Sequence, residues 1–463
     1  LEVLSNNSGD IVQLADWDLL DPEATASATP LAVKIGTGPT YSETAKTGAG
    51  FAGAAALSYS GRFLAAGAAS STTRLYGDVG LEVADGMQLN YKLFPVLDSG
   101  QTYAATFAAI DLVFTDGTRS STDAVDTYGY SAAAAEQGRA NKLWPDQWNS
   151  ITVPLDRYAG KTIAEVNLVF DHPGEGISGI DAPVAGTAFT GWIDDVTVEL
   201  APARDTSDGL VSWVDTRRGT NSTGGYSRGN NIPAAAWPNG FNFITPMTNA
   251  DNVGSIYHYQ RTNDAQNRPG LNGIGFSHQP SIWMGDRNQL AVIPAANDDP
   301  TSSLSGRRLT FSHDNETARP DIYRVAFDNG IDTEVTATDH GAIYRFSFEG
   351  DVGSVLVDQV VNSSKLTIDG DTLSGWVDGG SGGPGRTRMF VYGTFDTAPK
   401  AFGATTTGDR NGTARYAAFD TSADKTVELR VASSFLSQEQ AERNHSLELE
   451  GVTSATRHQQ QTD

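Results

Sequence analysis

Short strand-like runs separated by turn clusters recur along most of the chain, and that pattern excludes most folds. MQLNYKLFPVL (87–97), TFAAIDLVF (106–114), WNSITVPL (148–155), IAEVNLVF (163–170) and GWIDDVTVEL (191–200) are set apart by clusters such as TDGT and DHPGEG. Strands of this length at this spacing predict an antiparallel sandwich. Alternation is partial, with Ile193, Val196 and Val198 its clearest trace, so spacing carries the reading more than period. APARDTSDG (201–209) breaks the pattern and reads as a linker. Beyond it come RLTFSHD, DIYRVAFDNGIDTEVTATDHGAIYRFSFEG (321–350), SVLVDQVV, MFVYGTF and TVELRVASSFL, with Asn329-Gly330 as a hairpin signal. The expected fold class is all-β: a jelly-roll sandwich over 1–200, then a large antiparallel sandwich over 210–435.

One stretch reads as a helix. Ser437 and Gln440 form an S-x-x-Q capping box, Glu439 and Glu442 suit the positive helix start, and QEQAERNHSLEL (438–449) follows. Residues 436–463 are therefore expected to be a linker helix leading toward a helical part outside this sequence.

Composition narrows the function classes. A chain of 463 residues exceeds what one core usually serves, so two or three domains are expected. With no cysteine there is no disulfide, thiolate zinc site or cysteine nucleophile, and a metal would need oxygen ligands or some of the seven histidines. That favours calcium. The net charge of −24 opposes nucleic acid and anionic lipid as partners. No apolar run is long enough to span a membrane, and Leu1 opens polar sequence without a signal peptide, as in a mature secreted chain.

Most catalytic motifs fail. Gly379-Gly380-Ser381-Gly382-Gly383 satisfies G-x-S-x-G, but its Gly and Pro surroundings predict a loop rather than a nucleophile elbow. There is no H-E-x-x-H, Walker A loop or dinucleotide fingerprint. Adjacent carboxylates at Asp194/Asp195 and Asp298/Asp299 point to opposite faces of a strand and cannot flank one glycosidic bond. GWIDDVTVEL resembles the terminal strand of carbohydrate-binding jelly rolls, which implies Asp195 as a calcium ligand, against a plain turn-capping role.

The stretch GIGFSHQPSIWMGDRNQLAVIPA (273–295) sets His278, Trp283, Asp286 and Arg287 between two apolar runs. That predicts a strand, a polar loop and a strand, with the loop either a ligand contact or a solvated hairpin. Around it, VSWVDTRRGT, NIPAAAWPNGFNFITP (231–246), SIYHYQ (255–260), GIGFSHQPS (273–281), LTFSHDNETARPDIYRVAF (309–327) and TEVTATDHGAIYRFSF (333–348) occur in order. Together these blocks resemble the N-terminal β-sandwich of glycoside hydrolase family 92, the calcium-dependent inverting exo-α-mannosidases. VASSFLSQEQAERNHSLEL (431–449) resembles the bridge into that family's catalytic domain. The resemblance implies a galactose mutarotase-like sandwich followed by an (α/α)6 barrel that carries the acid, the base and most calcium ligands. No part of that barrel is expected among these residues.

The resemblance also implies the chemistry: a carboxylic acid protonates the leaving oxygen while a carboxylate activates water on the opposite face. This chain would supply recognition of mannose-containing glycans. Family members commonly have GFSHTHLSGTG where this chain has GFSHQPSIWMGD, so Phe276, Ser277 and His278 match and Trp283, Asp286 and Arg287 depart. A Trp face stacks on a pyranose, and Asp and Arg take hydroxyls or a phosphate, which leaves both α-mannosidic and mannosyl-phosphate linkages open. Trp237 and His258 are further contacts from matched blocks, His258 being equally readable as a hydrogen-bonded core histidine. Trp213 and Trp376 are expected in the core. Trp144 and Tyr128 are expected there too, with a sugar platform as the alternative for either. The competing function class is a non-catalytic lectin made only of sandwiches.

Overall fold

The computed structural model describes residues 31–97, 103–176, 182–202, 209–223, 231–237, 242–252, 255–276, 290–379, 387–408 and 413–454, with the backbone alone for strands 2–4 and 22–24. Backbone contacts divide the chain into two units, Leu1–Ala203 with Ala265–Asn267, and Arg204–Asp264 with Arg268–Asp463. Residues 203–208, most of the expected linker, lie outside the described residues.

The first unit is two antiparallel sheets. One orders strands Ala32–Gly36, Ala56–Arg62, Ala188–Leu200, Met87–Pro95 and Asn149–Pro154 side by side. The other orders Pro22–Ala24, Ala69–Tyr76, Thr162–His172 and Leu81–Glu82, with Ala108–Phe114 also on Thr162–His172. Tyr59, Leu89, Leu93 and Ile193 from the first sheet meet Leu75, Ile110, Leu168 and Phe170 from the second in one core. Phe170 and Phe189 stack at 4.1 Å, and the buried Tyr59 hydroxyl donates to the Ala105 carbonyl at 2.6 Å. Two short helices, Ser120–Asp123 and Ala134–Arg139, lie in the connection after Phe114. The sequence reading had neither.

His172 ends its strand inside this core, its ring 4.1 Å from that of Phe107 and its Nδ1 accepting from the Gly174 N–H. Burial, with Arg139 nearby, lowers its pKa to about 4. The folded pKa lies below the unfolded value near 6.5, so the stabilisation is complete above pH 6.5 and is lost as pH falls toward 4. The expected loss attributable to His172 is on the order of 2–3 kcal/mol over that window. Urea unfolding at pH 7 and pH 4.5 checks it: His172→Phe should flatten the dependence, and an unchanged slope would assign the acid sensitivity elsewhere.

The second unit is also two antiparallel sheets. The smaller orders Thr245–Met247, Gly273–Phe276, Leu290–Ala295, Val352–Asp358, Arg415–Asp420 and Ala401–Ala404. The larger orders Gly270–Leu271, Leu309–Ala318, Ile322–Phe327, Ile331–Ala337, Gly341–Phe348, Thr426–Ser434, Thr387–Phe395, Thr372–Gly379 and Ser364–Asp369. Inward residues of both, among them Phe276, Val292, Val357 and Phe419 against Phe311, Tyr323, Tyr344 and Phe346, share one apolar cluster. Gly330 takes φ 79° in the turn between Ile322–Phe327 and Ile331–Ala337, a backbone shape that the Asn329-Gly330 pair supplies without strain.

Helix Gln438–Glu448 starts at the expected cap, where the Ser437 hydroxyl accepts from the Gln440 N–H at 3.2 Å. The reciprocal half of the box is absent, because the Gln440 amide donates forward to Asn444 at 2.8 Å. Glu448 fastens the other end, accepting from the His340 N–H and from Thr338, and bonding His340 Nδ1 at 2.6 Å. G-x-S-x-G joins two hairpin strands paired at Gly379 and Thr387, so the residues after it lead into a strand and not a helix. Residues 380–386 of that loop lie outside the described residues.

Candidate functional site

The ladder between Thr245–Met247 and Gly273–Phe276 organises the matched blocks of the second unit. Ala235 exchanges two 2.9 Å backbone bonds with Ile244, which leads into the first of these strands. Thr245 faces Gly275 and Met247 faces Gly273. Trp237, half-buried and two residues past Ala235, therefore belongs to the end of the ladder where the chain leaves Phe276. That end opens into residues 277–289, closed again by the pair Phe276 and Leu290. His278, Trp283, Asp286 and Arg287 fall in this segment and lie outside the described residues.

His258 is at the other end. Its backbone N–H donates to the Thr248 hydroxyl at 2.8 Å, and Thr248 follows Met247 directly. The four residue steps from Ile244 to Thr248 correspond to about 13 Å of strand rise, so the ladder separates His258 from Trp237. The His258 ring is buried, with no hydrogen-bond partner at Nδ1 among the described residues. Burial, and then Arg261, lowers its pKa to about 4, which leaves a neutral imidazole at physiological pH.

A buried polar hub, invisible in any single motif, ties three of the matched blocks together. The Glu316 side chain is fully buried and accepts from the Tyr323 hydroxyl at 2.8 Å and from the Tyr257 hydroxyl at 3.1 Å. His313 Nδ1 lies 2.7 Å from it, while His313 Nε2 bonds the Tyr259 carbonyl at 2.8 Å. The Tyr259 ring stacks on His313 at 3.8 Å and 5°. Arg217 reaches Glu316 at 3.5 Å, donates to the His313 carbonyl at 2.9 Å and pairs with Asp215 at 2.8 Å. Burial opposes the Arg217 charge, yet hydrogen bonding to Asp215 and the field of Glu316 raise its pKa above the ordinary value. Burial and then Glu316 push the Tyr257 and Tyr323 phenols well up, so both remain donors.

The other buried carboxylates of this unit are engaged in the same way. Asp321 pairs with Arg319 at 2.9 Å, Asp358 with Arg307 at 2.8 Å, and Glu428 with Arg430 at 2.7 Å. Their geometry is that of structural ion pairs.

Several sequence expectations change here. The buried member of the Asp194/Asp195 pair is Asp194, which accepts from the N–H groups of Phe51 at 2.6 Å and Ala52 at 3.3 Å. Asp195 sits at φ 50° in a β-bulge, half-exposed, 3.6 Å from the Lys92 ammonium. Calcium takes 6–8 oxygen ligands. A carboxylate facing an ammonium beside one facing amide donors does not fit it, and the described residues contain no group of three His, Asp or Glu that could hold a metal. Trp213 is 59% exposed rather than in the core, because it ends a 3-10 turn, Gly209–Trp213, with no buried residue. Trp376 lies half-buried on its strand with the Arg388 guanidinium 3.5 Å above its ring. Trp144 and Tyr128 are 51% and 63% exposed, so neither fills the core.

These features define the second unit as an antiparallel sandwich with an apolar core and a buried polar hub at Glu316. Residues 213–434 match the family model described as the glycosyl hydrolase family 92 N-terminal domain, and the second unit is such a domain. A family 92 inverting mannosidase from Bacteroides thetaiotaomicron is 30% identical over 55% of this chain and 35% of its own, with a TM-score of 0.49. A second family 92 alpha-mannosidase from that organism, solved with mannoimidazole, is 23% identical over 55% of this chain and 36% of its own, with a TM-score of 0.46. A protein of Arthroderma benhamiae described as an uncharacterized secreted glycosidase is 25% identical over 286 residues, 52% of this chain and 35% of its own. The chain thus spans about a third of the length of these relatives. No helix among the described residues is long and apolar enough to cross a membrane.

Proposed function

We propose that this chain is the substrate-recognition portion of a secreted glycoside hydrolase that removes terminal α-linked mannose with inversion, in a calcium-dependent reaction. The observation that carries this is the family 92 N-terminal domain over residues 213–434. The mannosidase relatives support mannose-containing glycans as the substrate class. Calcium, when bound, would polarise sugar hydroxyls at the reacting ring. What the chain's own residues do is bind and orient. The Glu316 hub stiffens the strands Leu309–Ala318 and Ile322–Phe327. At the Phe276 end of the smaller sheet, Trp237 and the segment 277–289 are the groups assigned to the leaving-group side of the substrate.

Two of those residues test the assignment. Trp283 stacks on a second sugar and Arg287 pairs with an anionic leaving group in this reading, whereas the terminal mannose is held elsewhere. Trp283→Ala and Arg287→Ala in the intact glycosidase should each cost on the order of 1–3 kcal/mol, about 5- to 150-fold in kcat/KM, on a natural mannosyl substrate. A small aryl mannoside should lose much less. Equal losses on both would place the segment at the mannose itself, and no loss would make it a solvated hairpin.

A further inference from the structure

All exposed aromatic side chains among the described residues of the first unit come from three loops. They are Tyr41, Tyr128, Tyr130 and Trp144. The loops are tied to one another: the Ser42 hydroxyl donates to the Asp146 carbonyl at 3.1 Å, and Lys142, four residues before Asp146, forms an ion pair with Asp126.

The turn that presents the two tyrosines is rigidly built. Asp126 is buried, and one of its oxygens accepts from the N–H groups of both Tyr128 (2.9 Å) and Tyr130 (3.0 Å). The other oxygen takes the Gln137 amide at 3.2 Å and Lys142. Gly129 closes the turn at φ 85°. The Lys142 ammonium lies 4.8 Å from the centre of the Tyr130 ring and 5.7 Å from that of Tyr128. Asn149 plays the same part for the neighbouring loop, accepting from the Trp144 N–H at 2.9 Å and donating to the carbonyls of Trp144, Gln147 and Leu93. The buried Asp126 and the partly buried Asn149 thus anchor loops whose aromatic rings stay largely exposed to water. Exposed rings on loops held by several converging hydrogen bonds are the arrangement of a preorganised binding surface.

We propose that Tyr128, Tyr130 and Trp144, with Lys142 between them in the chain, bind a neutral pyranose glycan at a site separate from the family 92 domain. The flat rings match the C–H face of a pyranose, and the ammonium supplies donors for ring hydroxyls. Asp126 offsets the lysine charge, and the net charge of −24 disfavours an acidic glycan.

Affinity electrophoresis of the 463-residue chain through gels of yeast mannan, glucomannan, xylan and barley β-glucan tests this. At least one gel should retard the chain. Tyr128→Ala and Trp144→Ala should each weaken that retardation on the order of tenfold or more with the unfolding temperature unchanged. Tyr128→Phe and Trp144→Tyr keep a ring and should keep most of it, and Trp213→Ala in the other unit, an exposed residue with no assigned binding role, should leave it intact. Four gels without retardation would overturn the site. So would retention by the double Ala variant, or equal loss in the ring-conserving variants. None of these results bears on the mannosidase assignment, which has its own test.

Discussion

Glu316→Ala should destabilise the second unit by about 3–5 kcal/mol, the largest effect expected from any single substitution outside its apolar core. The side chain is fully buried and takes hydrogen bonds from two tyrosines, a histidine and an arginine. Truncation leaves the buried Tyr257 and Tyr323 hydroxyls with no acceptor, so the full desolvation of each is felt, while Arg217 keeps Asp215 and the His313 carbonyl. Glu316→Gln keeps an oxygen and the volume and should lose well under half as much. Hydrogen exchange reads this locally: amides of Leu309–Ala318 and Ile322–Phe327 should exchange on the order of a thousandfold faster in the Ala variant, while those of Thr162–His172 in the first unit stay protected. A loss below about 1 kcal/mol would mean that water replaces the carboxylate, and the hub would not be the support claimed for the neighbouring loops.

The physical reasons why parts of this structure were legible in the sequence are specific. Strands such as Met87–Pro95 and Thr162–His172 carry enough Leu, Val, Ile and Phe to be seen, and turn residues bound them. Ala69–Tyr76 has strict inward and outward alternation, yet its inward positions include Ser71 and Thr73, so a reading based on hydrophobicity passes over it. Asp194 and Asp195 cannot be told apart from the sequence, because a regular strand gives no reason to prefer either. The bulge that turns Asp194 inward depends on the pairing of Ala188–Leu200 with Met87–Pro95. The Glu316 hub joins residues 59 and 99 positions apart in the chain, and only the fold brings them together. The order of the sequence blocks identified the domain without showing what those blocks do. Of the candidate contacts, the described ladder places Trp237 and His258 at opposite ends, a separation set by strand register that motif order cannot express. The exposure of Trp144 and Tyr128 is hidden for the opposite reason: large aromatics are usually buried, and the polar anchors Asp126 and Asn149 that hold them out are ordinary residues in the sequence.

The role proposed for this chain is to recognise substrate without transferring protons to it. An inverting displacement needs two carboxyl groups about 6.5–9.5 Å apart, with a water between one of them and the anomeric carbon. Among the described residues of the second unit the buried carboxylates are Glu316, Asp321, Asp358 and Glu428, and each is engaged by an arginine within the fold. General acid and general base catalysis each contribute about 10²–10⁴-fold, so a chain that supplies neither should show no turnover that an assay can detect. The direct measurement is hydrolysis by the 463-residue chain of an aryl α-mannoside and of oligomannose, with calcium and with chelator. The expected result is release of mannose no faster than in a protein-free blank under either condition, from a chain whose strands are protected in hydrogen exchange. Calcium-dependent release above the blank would contradict the account, because it would place the acid, the base and the metal ligands within these residues.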